Sequence, residues 1–261
     1  MDDTYQVYLN RVARMTLPEA HATQLQHIHS SPKFVQLANG THQAAPFPGY
    51  TIITPPCPDD PSNAGFYQEI EACRDDLVQQ LPPLVLIPLP TQSFHFTLAD
   101  LIWGSDYQAA AQNPEFEDKL RDRIAETFQK APTEIYSPTP IRWQLLGLHV
   151  MPRALAICLV PKDESSYDRI TQLRRAIYQT ADLIGLGIQQ QYHLTAHITI
   201  GYFGDIAPDL DRDRTVEILS DFNHKWIDSS QEMRVSSAQL RKFDDMTHYY
   251  REDNWATLDF S

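Results

Sequence analysis

Ser93-Phe94-His95-Phe96-Thr97-Leu98-Ala99 alternates apolar and polar side chains, and His197-Ile198-Thr199-Ile200-Gly201 does the same in the second half of the chain. Such alternation marks a β-strand with one buried face. Residues i and i+2 of a strand share a side, so His95, Thr97 and Ala99 are expected together, opposite Phe94, Phe96 and Leu98. In the second stretch His197, Thr199 and Gly201 share a side, opposite Ile198, Ile200 and Tyr202, which places Tyr202 in the core. The apolar sides bury against helices. Imidazole and hydroxyl then face a groove whose third position is small in both strands.

The flanking sequence repeats around these two strands. Residues 50–53 read as a short strand, and Phe66, Ile70, Cys73 and Leu77 stripe a helix over about residues 64–80. Asn113-Pro114 is a helix start with a stripe of Phe116, Leu120, Ile124 and Phe128, and residues 141–150 form a strand. The order recurs: a strand at 155–160, one helix striped by Tyr167, Ile170, Leu173, Ile177, Ala181 and Ile184, and the strand of His197. A helix striped by Val216, Leu219, Phe222 and Trp226 follows, then one strand over 233–242. A duplicated unit implies a two-fold arrangement of its functional groups. The expected fold is α+β: two pseudo-symmetric lobes of antiparallel sheet, with outer helices, around a central groove. The repeat spans one domain, residues 46–261, in lobes of about 46–152 and 153–261. Residues 1–45 are an N-terminal extension with a helix over about 18–29. Clustered prolines, 19 in all against 9 glycines, read as ordered loops at strand ends, not as a flexible linker.

A formal net charge of -13 argues against tracking of long duplex nucleic acid, which demands many basic phosphate contacts. A phosphate-bearing partner is therefore expected to be small, such as a nucleotide or an RNA terminus. No stretch has the length and apolarity of a membrane span, and the acidic, polar first residues lack the apolar core of a secretory leader. Cys57, Cys73 and Cys158 are odd in number and widely spaced, which suits a reducing cytoplasm better than a disulfide framework.

Cleaving a phosphodiester requires taking a proton from the attacking oxygen and giving one to the leaving oxygen. Two histidines can divide those tasks across one phosphorus. Two threonine hydroxyls can hold the non-bridging oxygens. The candidate catalytic residues are therefore His95, Thr97, His197 and Thr199, with no metal and no cofactor required. Which histidine is acid and which is base stays open. His193-Leu194-Thr195 competes for the second motif, because a continuous strand would put it on the same side as His197; His21-Ala22-Thr23, in a helix, is a chance match. Tyr50, Arg142, Trp143 and Arg241 are candidate substrate contacts, weighed against a core Trp143 and solvated arginines. His27 and His29 lack a third ligand at recognisable metal spacing. The acidic run 209–213 suits a helix N-terminus, and Asp244-Asp245 a turn.

His95-Phe96-Thr97-Leu98 and His197-Ile198-Thr199-Ile200 resemble the paired His-x-Thr-hydrophobic signatures of the 2H phosphoesterase superfamily. That group includes RNA 2′,3′-cyclic phosphodiesterases and cyclic ADP-ribose-phosphate hydrolases. Pro46-Phe47-Pro48-Gly49-Tyr50-Thr51 and Ser93-Phe94-His95 also resemble an uncharacterised bacterial branch, the DUF1868-type proteins. The resemblance implies a 2H phosphoesterase or RNA-ligase-like fold, acid–base roles for His95 and His197, and phosphate-holding roles for Thr97 and Thr199. The implied activity is that of a metal-independent phosphodiesterase on a small cyclic or RNA-terminal phosphodiester. A non-catalytic module binding a nucleotide or RNA end in the same groove is the alternative.

Overall fold

The computed structural model describes residues 2–226 and 231–260; Met1, residues 227–230 and Ser261, the end of the expected domain, lie outside the described residues. The chain opens with helices α1 (Tyr5–Met15) and α2 (Pro18–Leu25) and a small hairpin, β1 (Phe34–Gln36) with β2 (His42–Ala44). Next come β3 (Gly49–Ile53), α3 (Ala64–Gln80), β4 (Leu86–Pro88), β5 (Thr97–Trp103), α4 (Gly104–Ala110) and α5 (Phe116–Gln129). The second half holds β6 (Ile141–Val150), β7 (Ala154–Pro161), α6 (Glu164–Tyr178), α7 (Ala181–Gly185), β8 (His197–Phe203) and α8 (Arg212–Trp226). It closes with β9 (Glu232–Val235), β10 (Ser237–Asp245), β11 (His248–Tyr250) and β12 (Thr257–Asp259).

Two antiparallel sheets result. The first runs β11-β10-β3-β5, with β12 also on β10; the second runs β4-β8-β7-β6-β9. Each sheet takes strands from both halves of the sequence, so a lobe is a set of strands and not a continuous span of chain. Residues 141–150, which the repeat assigns to the first half, pair with β7 and β9 in the second sheet. The chain crosses between sheets from β4 to β5, and the crossing segment carries His95. It crosses again between β9 and β10, splitting the single strand expected over 233–242 at Ser236. Helix α6 touches β5 of the first sheet and β6 and β7 of the second.

Helical periodicity locates the main helices because their stripes are buried: Phe66, Ile70, Cys73 and Leu77 on α3, and Phe116, Leu120, Ile124 and Phe128 on α5. The helix expected over 167–184 is two, broken where Thr180 turns extended, and the second piece buries Leu183 while Ile184 is exposed. Asn113 caps a turn ahead of α5 by accepting from the Glu115 N–H, three residues before the helix begins. The acidic run acts as expected: Asp211 accepts from the Arg214 N–H at the start of α8. Asp245 accepts from the Thr247 N–H in the turn between β10 and β11.

Trp143 of β6 is fully buried. Its ring meets Phe96, next to His95, edge-on at 5.2 Å and Tyr8 of α1 at 6.1 Å. Among the described residues no helix is long and apolar enough to cross a membrane.

Candidate active site

The two motifs are built alike. His95 lies just ahead of β5 and its Nδ1 is 2.7 Å from the Ser93 carbonyl; His197 opens β8 and its Nδ1 is 2.6 Å from the Thr195 carbonyl. A carbonyl only accepts, so each Nδ1 carries the proton and donates it two residues back. Nε2 is then the basic nitrogen of each neutral ring. Both imidazoles are half-buried, as are Thr97 and Thr199. Among the described residues neither threonine hydroxyl has a hydrogen-bond partner, so both can donate to a ligand.

Each motif is followed by a β-bulge at the same place. Between Ile53 opposite Thr97 and Ile52 opposite Ala99, β5 holds the extra residue Leu98. Between Ala156 opposite Thr199 and Leu155 opposite Gly201, β8 holds the extra residue Ile200. A bulge re-phases the alternation beyond it. Ala99 and Gly201 therefore leave the inward side, contrary to expectation, and Asp100 and Tyr202 replace them. Tyr202 is buried, 8% exposed, as expected of a core residue, but on the groove side of the strand and not the opposite one. Asp100 and Tyr202 are the residues that alternation missed, and no local sequence signal marks a bulge there.

Residues paired across a ladder share a face, which lets the groove be read from the register. On the first sheet Thr97 is in line with Ile53 and Gln239, and Asp100 with Thr51 and Arg241. Tyr249 of β11 closes that side, its ring 4.3 Å from His95. On the second sheet His197 stands beside Cys158, Thr199 beside Ala156 and Tyr202 beside Ala154, so β7 offers a floor of small side chains. His149 lies one strand further, opposite Ala156.

Burial holds His95 at about 4; its bond to Ser93 opposes the shift, while positive charge on His197 and Arg241 adds to it. Burial also lowers His197, against the Thr195 carbonyl and the Asp100 carboxylate, which favour its charged form. His149 is held at about 4 by burial, then by charge on His197, His21 and Arg11. The first two rings thus lie within electrostatic reach of one another, and their neighbours differ in sign.

Other candidate residues separate cleanly. Arg241 is 5% exposed, not solvated; it donates to Asp59 at 2.8 Å and to the Tyr249 carbonyl at 3.4 Å, on the groove side. Tyr50 is not in the groove: it shares the opposite face with Lys242, and its hydroxyl donates to Glu117 of α5 at 2.9 Å. Arg142 is turned to Asp163 and Glu232 at the far end of β6, and Trp143 is core. Competing His193 is exposed and pairs with Asp3 at 3.3 Å, while the Thr195 hydroxyl accepts from Arg11. Residues before His197 are loop, so no continuous strand brings that pair inward. His21 is buried on α2 against the Leu148 carbonyl, and His27 and His29 are exposed. Among the described residues no three His, Cys, Asp or Glu side chains gather as metal ligands. Two surface concavities, of about 280 Å³ on α5 and about 600 Å³ beside α1, are lined by none of the groove residues.

No protein-family model matches the chain, and no curated protein matches its sequence. Among solved structures, ATU0111 from Agrobacterium tumefaciens str. C58, a conserved protein of unknown function, superposes with a TM-score of 0.63. Its identity is 17%, over 89% of this chain and 92% of that one. TT0787 of Thermus thermophilus gives 0.48 at 13% identity, over 81% and 97%. Apo LigT of E. coli gives 0.45 at 13% identity, over 83% and 99%. With ATU0111 the chain shares its fold.

Proposed function

We propose that this chain is a metal-independent phosphodiesterase acting on a small phosphodiester of the 2′,3′-cyclic nucleotide or RNA-terminal type, working in the cytoplasm. The observation that carries the reading is the matched pair of imidazoles. One lies just ahead of a strand of the first sheet and the other opens a strand of the second, each is held through Nδ1 by the carbonyl two residues back, and each has a free threonine hydroxyl two residues on. The resemblance of both motifs to the 2H phosphoesterases points the same way.

The two rings differ in surroundings, which supports a division of roles between them. His95, beside Arg241, favours the neutral form and serves as the base: its Nε2 takes a proton from the attacking water. His197, lowered by burial but drawn back toward its charged form by the Thr195 carbonyl and Asp100, serves as the acid: protonated on both nitrogens, it gives its Nε2 proton to the leaving ribose oxygen. The water oxygen bonds to phosphorus as the leaving bond breaks, and Thr97 and Thr199 donate to the non-bridging oxygens throughout. The product is a phosphomonoester. Net charge of -13 favours a small ligand over a long polyanion.

The test is turnover of a panel of 2′,3′-cyclic nucleotides by the wild type, His95→Ala and His197→Ala. Each variant is expected to lose roughly 10²–10⁴-fold in kcat while keeping its melting temperature. Wild-type protein that binds these nucleotides without turning over any of them would replace the enzyme with a binding module.

A further inference from the structure

We propose that Lys33, brought to the groove by the N-terminal hairpin, binds a second anionic group of the substrate, so that the preferred phosphodiester carries an additional phosphate. This rests on the reading above and narrows its substrate class.

Lys33 stands at the base of the hairpin, where its carbonyl accepts from the Ala45 N–H at 2.9 Å. The next residue, Phe34, packs its ring on Tyr202 at 5.7 Å. The Lys33 ammonium lies 4.4 Å from the Phe47 ring centre and 5.0 Å from that of Tyr202, and donates to the Tyr202 hydroxyl at 3.4 Å. Tyr202 is the inward residue that follows Thr199 on β8. Two ladder steps separate them, from Ala156 to Ala154, or ~7 Å of strand. A single ribose spans that separation.

A covered ammonium ordinarily has a carboxylate partner. Lys33 has no ion pair among the described residues, and two aromatic faces compensate it only in part. One donor reaches a hydroxyl, leaving two for a ligand. Asp100 is the acid that Lys33 senses, but its carboxylate is engaged by the Tyr192 hydroxyl. Burial lowers Lys33 to about 8, opposed by Asp100, so the group is still mainly charged at neutral pH. An anion between the histidine pair and Lys33 would satisfy the free donors and restore the ordinary basicity. In a chain of net charge -13 an unpaired, positioned cation is a specific attractor, not part of a general basic surface.

The experiment is calorimetric titration of the full chain with adenosine 3′,5′-bisphosphate and with 3′-AMP. Wild type should prefer the bisphosphate by about tenfold or more, as charge-assisted hydrogen bonds to a phosphate warrant. In Lys33→Met the ratio should collapse toward one, and Lys33→Arg should retain most of it. A melting curve checks that each variant folds, and Lys33→Gln serves in place of a Met variant that does not. Equal wild-type affinity for the two ligands, a preference untouched by loss of the charge, or binding of neither overturns the proposal. A bisphosphate preference that depends on Lys33, in a protein that turns over no phosphodiester, would refute the catalytic reading and leave only the second anion site at Lys33.

Discussion

Replacing Asp2 by alanine should weaken both the fold and the site, through one arginine. Arg174 of α6 is 3% exposed and Asp2 6%, and their charged groups meet at 2.7 Å. The same guanidinium donates to the Leu98 carbonyl at 2.8 Å and to the Tyr192 carbonyl at 3.0 Å. Asp2 also accepts from the Leu194 N–H at 2.6 Å and from Gln190 at 2.9 Å. Breaking a buried pair by removing one partner costs about 3–5 kcal/mol. The two carbonyls still bound to Arg174 put this case near the lower end. For a chain of this size that is a fall in Tm of roughly 6 °C, at about 2 °C per kcal/mol. Asp2→Asn keeps an acceptor for Leu194 and should fall between wild type and alanine. Activity should drop with stability, because Leu98 is the bulge residue after Thr97 and the 192–195 loop supplies the carbonyl that orients His197. Scanning calorimetry and turnover on the same samples test both. A Tm within about 1 °C of wild type for Asp2→Ala would refute the assignment of Arg174 as a buried, charge-dependent tie between the motifs.

Stability should fall in mild acid. His95 and His149 are held at about 4 in the folded chain, whereas an unfolded imidazole titrates near 6.5. Between those values the unfolded chain binds more protons, so stability is full above about 6.5 and is lost as pH drops, by up to roughly 1.4 kcal/mol per pH unit per group. Urea midpoints at neutral and acid pH should show that slope, and His149→Gln should reduce it; a midpoint unchanged on acidification would be inconsistent with buried neutral rings. Chelation should leave turnover unchanged, since the proposed proton transfers run through two imidazoles. Activity lost to a chelator and restored by a divalent cation would point to a different reaction.

Elements whose burial follows one uninterrupted period were legible in the sequence. The stripes of α3 and α5 repeat at helical spacing and are buried residue by residue. Short pieces left no such trace: β4 sits inside a proline cluster, and Pro88 is tolerated because β4 is the sheet edge. Helix α1 lies outside the repeated unit, although Tyr5, Tyr8 and Val12 recur at helical spacing, Thr4 caps it by accepting from the Val7 N–H, and Tyr8 and Val12 are buried. Periodicity also cannot see a cap or a change of sheet, hence the breaks at Thr180 and Ser236. The four motif side chains could be named because they precede the bulges. The residues next after each bulge change face, and so Tyr202 was read on the wrong side and Asp100 was not read as a groove residue.

The bulges carry a further consequence for the chemistry. Two halves with little sequence likeness insert one extra residue at the same step after His-x-Thr, Leu98 in one and Ile200 in the other. In both sheets the irregularity re-aims a side chain toward the groove. The re-aimed residues are unlike: a carboxylate that favours the charged form of His197, and a phenol that receives Lys33. A groove symmetric in its four inner residues thereby becomes asymmetric at its ends. Two equivalent imidazoles have no preferred direction of proton transfer, whereas the proposed base beside Arg241 and proposed acid beside Asp100 do. Exchanging that bias with Asp100→Asn should therefore slow turnover more than it weakens binding of 3′-AMP, a split that a purely structural Asp100 would not produce.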